Sequence, residues 1–176
     1  ALKTTRTDLA LCVATADCVP VVIASDTAVA VVHAGWRGVA SRIGVKSVAA
    51  MSSAPENLSA WIGPAIGACC YEVGFDVAEQ VAAASSPEVL RDRPGSRPKI
   101  DLSLAIRCQL LDAGLKRIDI VECCTRCNEA WLWSYRRDGE RADRNLTFAW
   151  LNLKQGNPGD ANGDGGCGES GRSRVT

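Results

Sequence analysis

Val19-Pro20-Val21-Val22-Ile23-Ala24-Ser25-Asp26-Thr27-Ala28-Val29-Ala30-Val31-Val32-His33-Ala34-Gly35-Trp36 is the stretch on which the fold turns. Residues 19–24 and 28–32 are short apolar runs rich in β-branched side chains, and Ser25-Asp26-Thr27 between them has the composition of a turn. The pattern predicts two buried strands paired as a hairpin. Its open end then brings Cys18, the last residue of Thr15-Ala16-Asp17-Cys18, close to His33, the only histidine of the chain. Thiolate and imidazole are preferred ligands of zinc. A catalytic zinc needs a third protein ligand, and no second histidine supplies it. Each residue also has a plainer reading: a hydrogen-bonded histidine beside a strand, and a small buried apolar cysteine.

Working outward, strands are predicted at residues 9–14, 59–62, 118–123 and 145–151. Helices are predicted from Gly35 to about Met51, from Asp76 to about Ala84, and over 102–113. Asp101 caps the last of these and Gly114 ends it. The polar, proline-bearing stretch 85–98 reads as a surface loop. Strands and helices are mixed after an early run of strands, which predicts an α+β fold (α/β-like) with mixed β-sheets covered by helices in a single domain. That domain covers residues 1–151. The glycine-rich segment 152–176 holds almost nothing apolar and is expected to be a disordered tail, with Cys167 an exposed thiol within it.

Composition narrows the class further. Acidic and basic side chains balance at a formal net charge of zero, which argues against a nucleic-acid partner. No apolar run reaches the roughly 18 residues of a membrane span, and no signal peptide opens the chain, so a cytoplasmic protein is expected. Nine cysteines is a high, odd count. Several lie inside apolar periodic segments and two pairs are adjacent in sequence, Cys69-Cys70 and Cys123-Cys124. Adjacent cysteines bond to each other only with strain, so reduced thiols fit better than a disulfide framework. Cys124-Thr125-Arg126-Cys127 has Cys-x-x-Cys spacing without a second such motif, which leaves the structural-zinc and redox readings weak.

Three segments hold the candidate chemistry. The turn from His33 through Gly35 into a helix offers free backbone N–H groups, and Arg37 adds a guanidinium suited to phosphate or carboxylate. Equally, Gly35 serves the turn alone and Arg37 is a solvated charge. The run Ile62-Gly63-Pro64-Ala65-Ile66-Gly67-Ala68-Cys69-Cys70-Tyr71-Glu72-Val73-Gly74 follows a tight path of the kind that lines pockets. Neither Cys69 nor Cys70 has a nearby base in sequence, so their structural reading prevails over a nucleophilic one. In Trp133-Ser134-Tyr135-Arg136-Arg137-Asp138, aromatic faces and the Arg136 and Arg137 guanidinium groups suit a flat ring and an anion. A basic turn beside core aromatics accounts for it as well.

Taken in order, Thr15-Ala16-Asp17-Cys18-Val19-Pro20, His33-Ala34-Gly35-Trp36-Arg37-Gly38, the 62–74 run, Cys124-Thr125 and Ser134-Tyr135-Arg136-Arg137-Asp138 resemble the laccase-domain family. That family is described both as multicopper polyphenol oxidases and as zinc-dependent purine nucleoside phosphorylases with adenosine deaminase and methylthioadenosine phosphorylase side activities. One branch is described as a peptidoglycan editing factor. The resemblance implies zinc held by Cys18, His33 and a further histidine of a Gln-Val-His-Gly motif lying upstream of Ala1. It implies a purine nucleoside and phosphate as substrates, with His33, Cys18 and Arg37 catalytic and Gly35, Arg136 and Arg137 binding substrate. On that basis the chain is expected to be an N-terminally shortened member with impaired activity, unless Cys70 or Cys124 replaces the histidine. A non-catalytic or editing role on peptidoglycan precursors is the alternative. Copper oxidation is the poorer reading, because copper centres rely on several imidazoles. The sequence also departs from the family at Ala142-Asp143-Arg144, where Thr-Gly-Arg is usual, and at Trp131-Leu132-Trp133, where paired phenylalanines are common.

Overall fold

The computed structural model describes residues 1–91 and 96–152. Strands β1 (Leu2–Thr4), β2 (Leu11–Thr15), β3 (Val19–Ala24) and β4 (Val29–Ala34) come first, followed by helices α1 (Trp36–Ala40) and α2 (Ile43–Ala49). Strand β5 (Ser59–Ile62), helix α3 (Phe75–Ala83), the short strands β6 (Leu90–Arg91) and β7 (Lys99–Ile100), and helix α4 (Leu102–Asp112) succeed them. Strand β8 (Arg117–Ile120), helix α5 (Tyr135–Asp138) and strand β9 (Asn145–Ala149) follow as the last helix and strands among the described residues.

The predicted hairpin is present. β3 and β4 pair antiparallel from Val19 opposite Ala34 to Ala24 opposite Val29. The Ser25 hydroxyl accepts hydrogen bonds from the Thr27 and Ala28 amides (3.3 and 3.1 Å), and Ser25 N–H donates to the Ala28 carbonyl at 2.9 Å. This hairpin is the middle of a five-stranded mixed sheet in the order β1-β4-β3-β5-β8, in which only β5 and β8 are parallel. β2 and β9 form a separate antiparallel pair, as do β6 and β7.

Both strands read as continuous apolar runs because both faces of the hairpin are covered. Val19, Val21, Ile23, Ala30, Val32 and Ala34 join the main core with Val39, Val48, Val81, Ile106 and Leu110 of the helices. Val29 and Val31 point the other way and pack with Leu11 and Leu151 under the β2–β9 pair. The layers are therefore helices, central sheet and a small second sheet. Each fully buried Ile or Leu in this core contributes about 1.5–3 kcal/mol.

Several boundaries differ from the sequence reading. The single helix predicted from Gly35 to Met51 is two, broken at Ser41 and Arg42, with Arg42 in the left-handed region at φ 56°. The buried side chain of Gln109 on α4 explains how the break is tolerated. Its amide donates to the Val39 and Ala84 carbonyls (2.7 and 3.1 Å), and its oxygen accepts the Gly44 N–H at 3.1 Å. Backbone groups that a continuous helix would pair internally are thus met by one glutamine. Among its described residues, the predicted loop at 85–98 contains a 3₁₀ turn, Pro87–Val89, and strand β6, which pairs with β7 just beyond the loop. β1 was not anticipated, and β8 ends at Ile120 rather than Cys123. Asp101 caps α4 as predicted, accepting from the Leu104 amide at 2.9 Å, and Gly114 follows at φ 92°. The tail and Cys167 lie outside the described residues. Among those described, no helix is long and apolar enough to cross a membrane.

Candidate functional site

At the open end of the hairpin Pro20 pairs with His33 and Val19 with Ala34, so Cys18 enters β3 beside the residues that leave β4. The Cys18 thiol packs against Gly35: a Cβ at position 35 would lie 3.0 Å from its Sγ. Gly35 has an ordinary extended backbone, so contact with the thiol and not a special dihedral excludes a side chain there. Burial, and then the Asp17 carboxylate, push the Cys18 thiol up, a cost that an adjacent cation would reverse. Desolvation pushes His33 down, which favours the neutral imidazole that binds metals.

Asp17 is the knot of the site, a role the sequence reading missed. Its φ of 87° turns the chain between β2 and β3, and its carboxylate is buried. Oδ1 accepts the Thr125 hydroxyl at 2.6 Å, Oδ2 accepts the Arg136 amide at 2.6 Å, and the Asp17 carbonyl accepts the Ile66 amide at 3.0 Å. One residue thus joins the hairpin mouth to three distant segments. The signal available in sequence was only its membership of the ordered motif set.

Tyr71 was also missed as a site residue. Burial raises its phenol, the Cys18 thiolate and Asp17 raise it further, and Arg136 and Arg37 pull it back. Those influences place the ring among the same groups that the separate motifs contributed. Arg136 lies over it at 5.2 Å and donates to the Glu72 carbonyl at 3.0 Å. Arg37 lies over its neighbour Trp36 at 4.5 Å. Arg137 is engaged differently. Its guanidinium grips Asp138 at two atoms (2.8 and 2.7 Å) and also donates to the Thr125, Arg126 and Leu132 carbonyls. Ser134, fully buried, starts α5 by accepting the Arg137 amide. α1 has only five residues, so the helix-terminal anion attraction expected at Gly35 is weaker than a long helix would provide.

A second cluster lies one residue away in sequence on two sides. Cys69, Cys70, Cys124 and Cys127 place their sulfur atoms all within 4.8 Å of one another and could bind a metal ion. Burial raises Cys124, but the amides of Gly67 and Cys127 together with the Cys69 and Cys127 thiols outweigh this and bring it down to about 7. Cys69 is pushed well up by burial and by its thiol neighbours. Among the described residues this is the one such group of three or more ligands, so neither Cys70 nor Cys124 joins Cys18 and His33. An open groove of about 670 Å³ lined by Arg91, Asp101, Arg107, Glu122 and Cys124 includes none of Cys18, His33 or Arg37.

The family described as multi-copper polyphenol oxidoreductase laccase matches residues 1–152. A protein of Xylella fastidiosa named purine nucleoside phosphorylase is 40% identical over 148 residues, covering 80% of this chain and 56% of that protein. Adenosine deaminase RL5, from an unknown prokaryotic organism, is 36% identical, over 84% of this chain and 60% of its own length. The crystal structure of YlmD from Geobacillus stearothermophilus superposes with a TM-score of 0.79 at 35% identity, over 85% of this chain and 59% of that one. The chain therefore spans less than two thirds of the length of these relatives.

Proposed function

This chain belongs to the multi-copper polyphenol oxidoreductase laccase family, and from that membership we propose that it carries part of the site of a zinc-dependent purine nucleoside phosphorylase. The observation that supports the reading is the hairpin mouth, where strand pairing brings Cys18 and His33 to one end of the hairpin and where Tyr71 feels Cys18, Asp17, Arg37 and Arg136. One thiolate and one neutral imidazole fit zinc in type, and zinc there would polarise a substrate oxygen. The third ligand is not among the described residues. The family resemblance assigns it to an upstream histidine.

This chain's own residues would do the following. Arg37 and Arg136 hold inorganic phosphate, because Arg137 is committed to Asp138 and three carbonyls. Gly35 leaves room for the thiol and for close approach of the substrate. Asp17 keeps Arg136 and Thr125 in place through its two oxygens. A phosphate oxygen attacks the ribose C1′ of adenosine or inosine, the C1′–N9 bond breaks, and the purine leaves with the electron pair and takes up a proton. The products are ribose 1-phosphate and free base. The deaminase relative supports a second activity at the same site, in which water attacks purine C6 and ammonia leaves. The single imidazole of the sequence speaks against a multicopper centre.

The test is formation of ribose 1-phosphate from adenosine and inorganic phosphate with zinc present. With two ligands the chain is expected to turn over weakly, and joining the upstream histidine segment of a relative is expected to raise zinc occupancy and rate together. His33→Ala in that extended protein is expected to bring the rate to background. Phosphorolysis unchanged by His33→Ala would overturn the mechanism.

A further inference from the structure

We propose that Cys69, Cys70, Cys124 and Cys127 bind a single zinc ion as a closed tetrathiolate centre, separate from the Cys18–His33 site. A zinc with four sulfur ligands at about 2.3 Å in tetrahedral geometry sets its sulfur atoms about 3.8 Å apart. Here Cys70 and Cys127 are 3.4 Å apart, Cys69 and Cys127 are 3.8 Å apart, and every pair lies within 4.8 Å. Such compactness suits one ion, since clusters of several irons spread their thiolates further. No two of the four are bonded to each other.

The surrounding backbone is built to the same end. The Gly67 amide donates to the Cys124 sulfur at 3.3 Å, the kind of outer hydrogen bond that orients a metal-bound thiolate. A Cβ on Gly67 would meet Cys124 Cβ and Cys69 Sγ at 3.3 Å each, so the glycine is what lets the two turns close on each other. Cys70 and Tyr71 donate their amides to the Gly67 carbonyl, forming one turn. Asn128 folds the other, its amide and side chain both donating to the Cys124 carbonyl. The Thr125 amide completes the join by donating to Ala65 at 3.0 Å.

With four protein ligands the centre has no open position and acts as a structural brace, not a catalyst. Its place gives that brace a purpose. Tyr71 follows Cys70, and Thr125, which holds Asp17, follows Cys124. The ion would pin together the two turns from which these residues enter the hairpin mouth. This inference does not rest on the phosphorylase reading.

The test uses the reduced full chain carrying Cys18→Ser and His33→Ala, which removes the other candidate ligands. Titration with cobalt is expected to give one equivalent bound, with thiolate-to-cobalt charge-transfer bands and intense tetrahedral ligand-field bands. Zinc is expected to displace the cobalt stoichiometrically, and Cys124→Ser with Cys127→Ser to abolish the bands. Absence of those bands in the folded, reduced protein would overturn the centre. So would native mass spectra showing disulfides in place of metal, or iron as the resident ion after growth with both metals. Because the spectra are read on protein with all four cysteines intact, misfolding of the double serine variant would not rescue the idea.

Discussion

At the scale of single residues, the site is set by close contacts that are invisible to propensity. Gly35→Ala asks the Cys18 thiol to give by a few tenths of an ångström, with no change in backbone dihedral preference. If the hairpin mouth holds zinc as proposed, its affinity is expected to fall about 10–100-fold, as for other changes that misplace a ligand. Thermal stability should move little, so competition with a chelator is the measurement that matters. Asp17→Asn is a sharper probe, because asparagine tolerates the left-handed backbone that Asp17 adopts. It keeps shape and removes one acceptor, leaving either the Thr125 hydroxyl or the Arg136 amide badly matched. A loss of about 1–3 kcal/mol in unfolding free energy is expected by denaturant titration. A loss near zero would show that Asp17 does not hold the segments together.

Among the elements, the break between α1 and α2 was beyond reach of periodicity. Residues 36–51 carry a helical pattern throughout, and Gly44 was its one weak point. What ends α1 is tertiary: Gly44 must pack where its Cβ would lie 2.9 Å from Gln109, and Gln109 then satisfies groups on both sides of the break. Gln109→Leu keeps volume and leaves the buried Gly44 amide without its acceptor, while the Val39 and Ala84 carbonyls each lose one donor and keep another from Arg42. The expected loss is about 2–3 kcal/mol, read as a drop of roughly 4–12 °C in Tm. By contrast, α4 was legible almost to the residue, because an aspartate cap and a terminal glycine are local signals.

For the whole molecule, the hairpin is the axis against which everything else is placed. Ile23 sits at its centre, fully buried between β4 and β5 under the helices. Ile23→Ala is expected to cost about 2–5 kcal/mol, measured by equilibrium unfolding. Leu146→Ser, on the exposed face of β9, is expected to stay within about 0.5 kcal/mol. Similar costs for the two would contradict the layered core.

Local pattern alone determined the hairpin, the strand at 59–62, the capped helix α4, the α+β class and, through the order of its motifs, the family. These features depend on side-chain alternation, helical spacing and turn chemistry, all of which act over a few residues. Tertiary structure alone decided that Asp17 ties Thr125 to Arg136, that Gln109 bridges a helix break, and that Arg137 serves the scaffold while Arg136 faces Tyr71. It also gathered Cys69 and Cys70 with Cys124 and Cys127, although Cys70 and Cys69 stand 57 and 58 residues from the Cys127 thiol that they meet. The physical reason is that these contacts depend on how distant segments pack: α4 lies against α1 and α2, and the parallel pairing of β5 with β8 returns the chain beside its own earlier segment, and no local pattern encodes which side chains such packing will bring together.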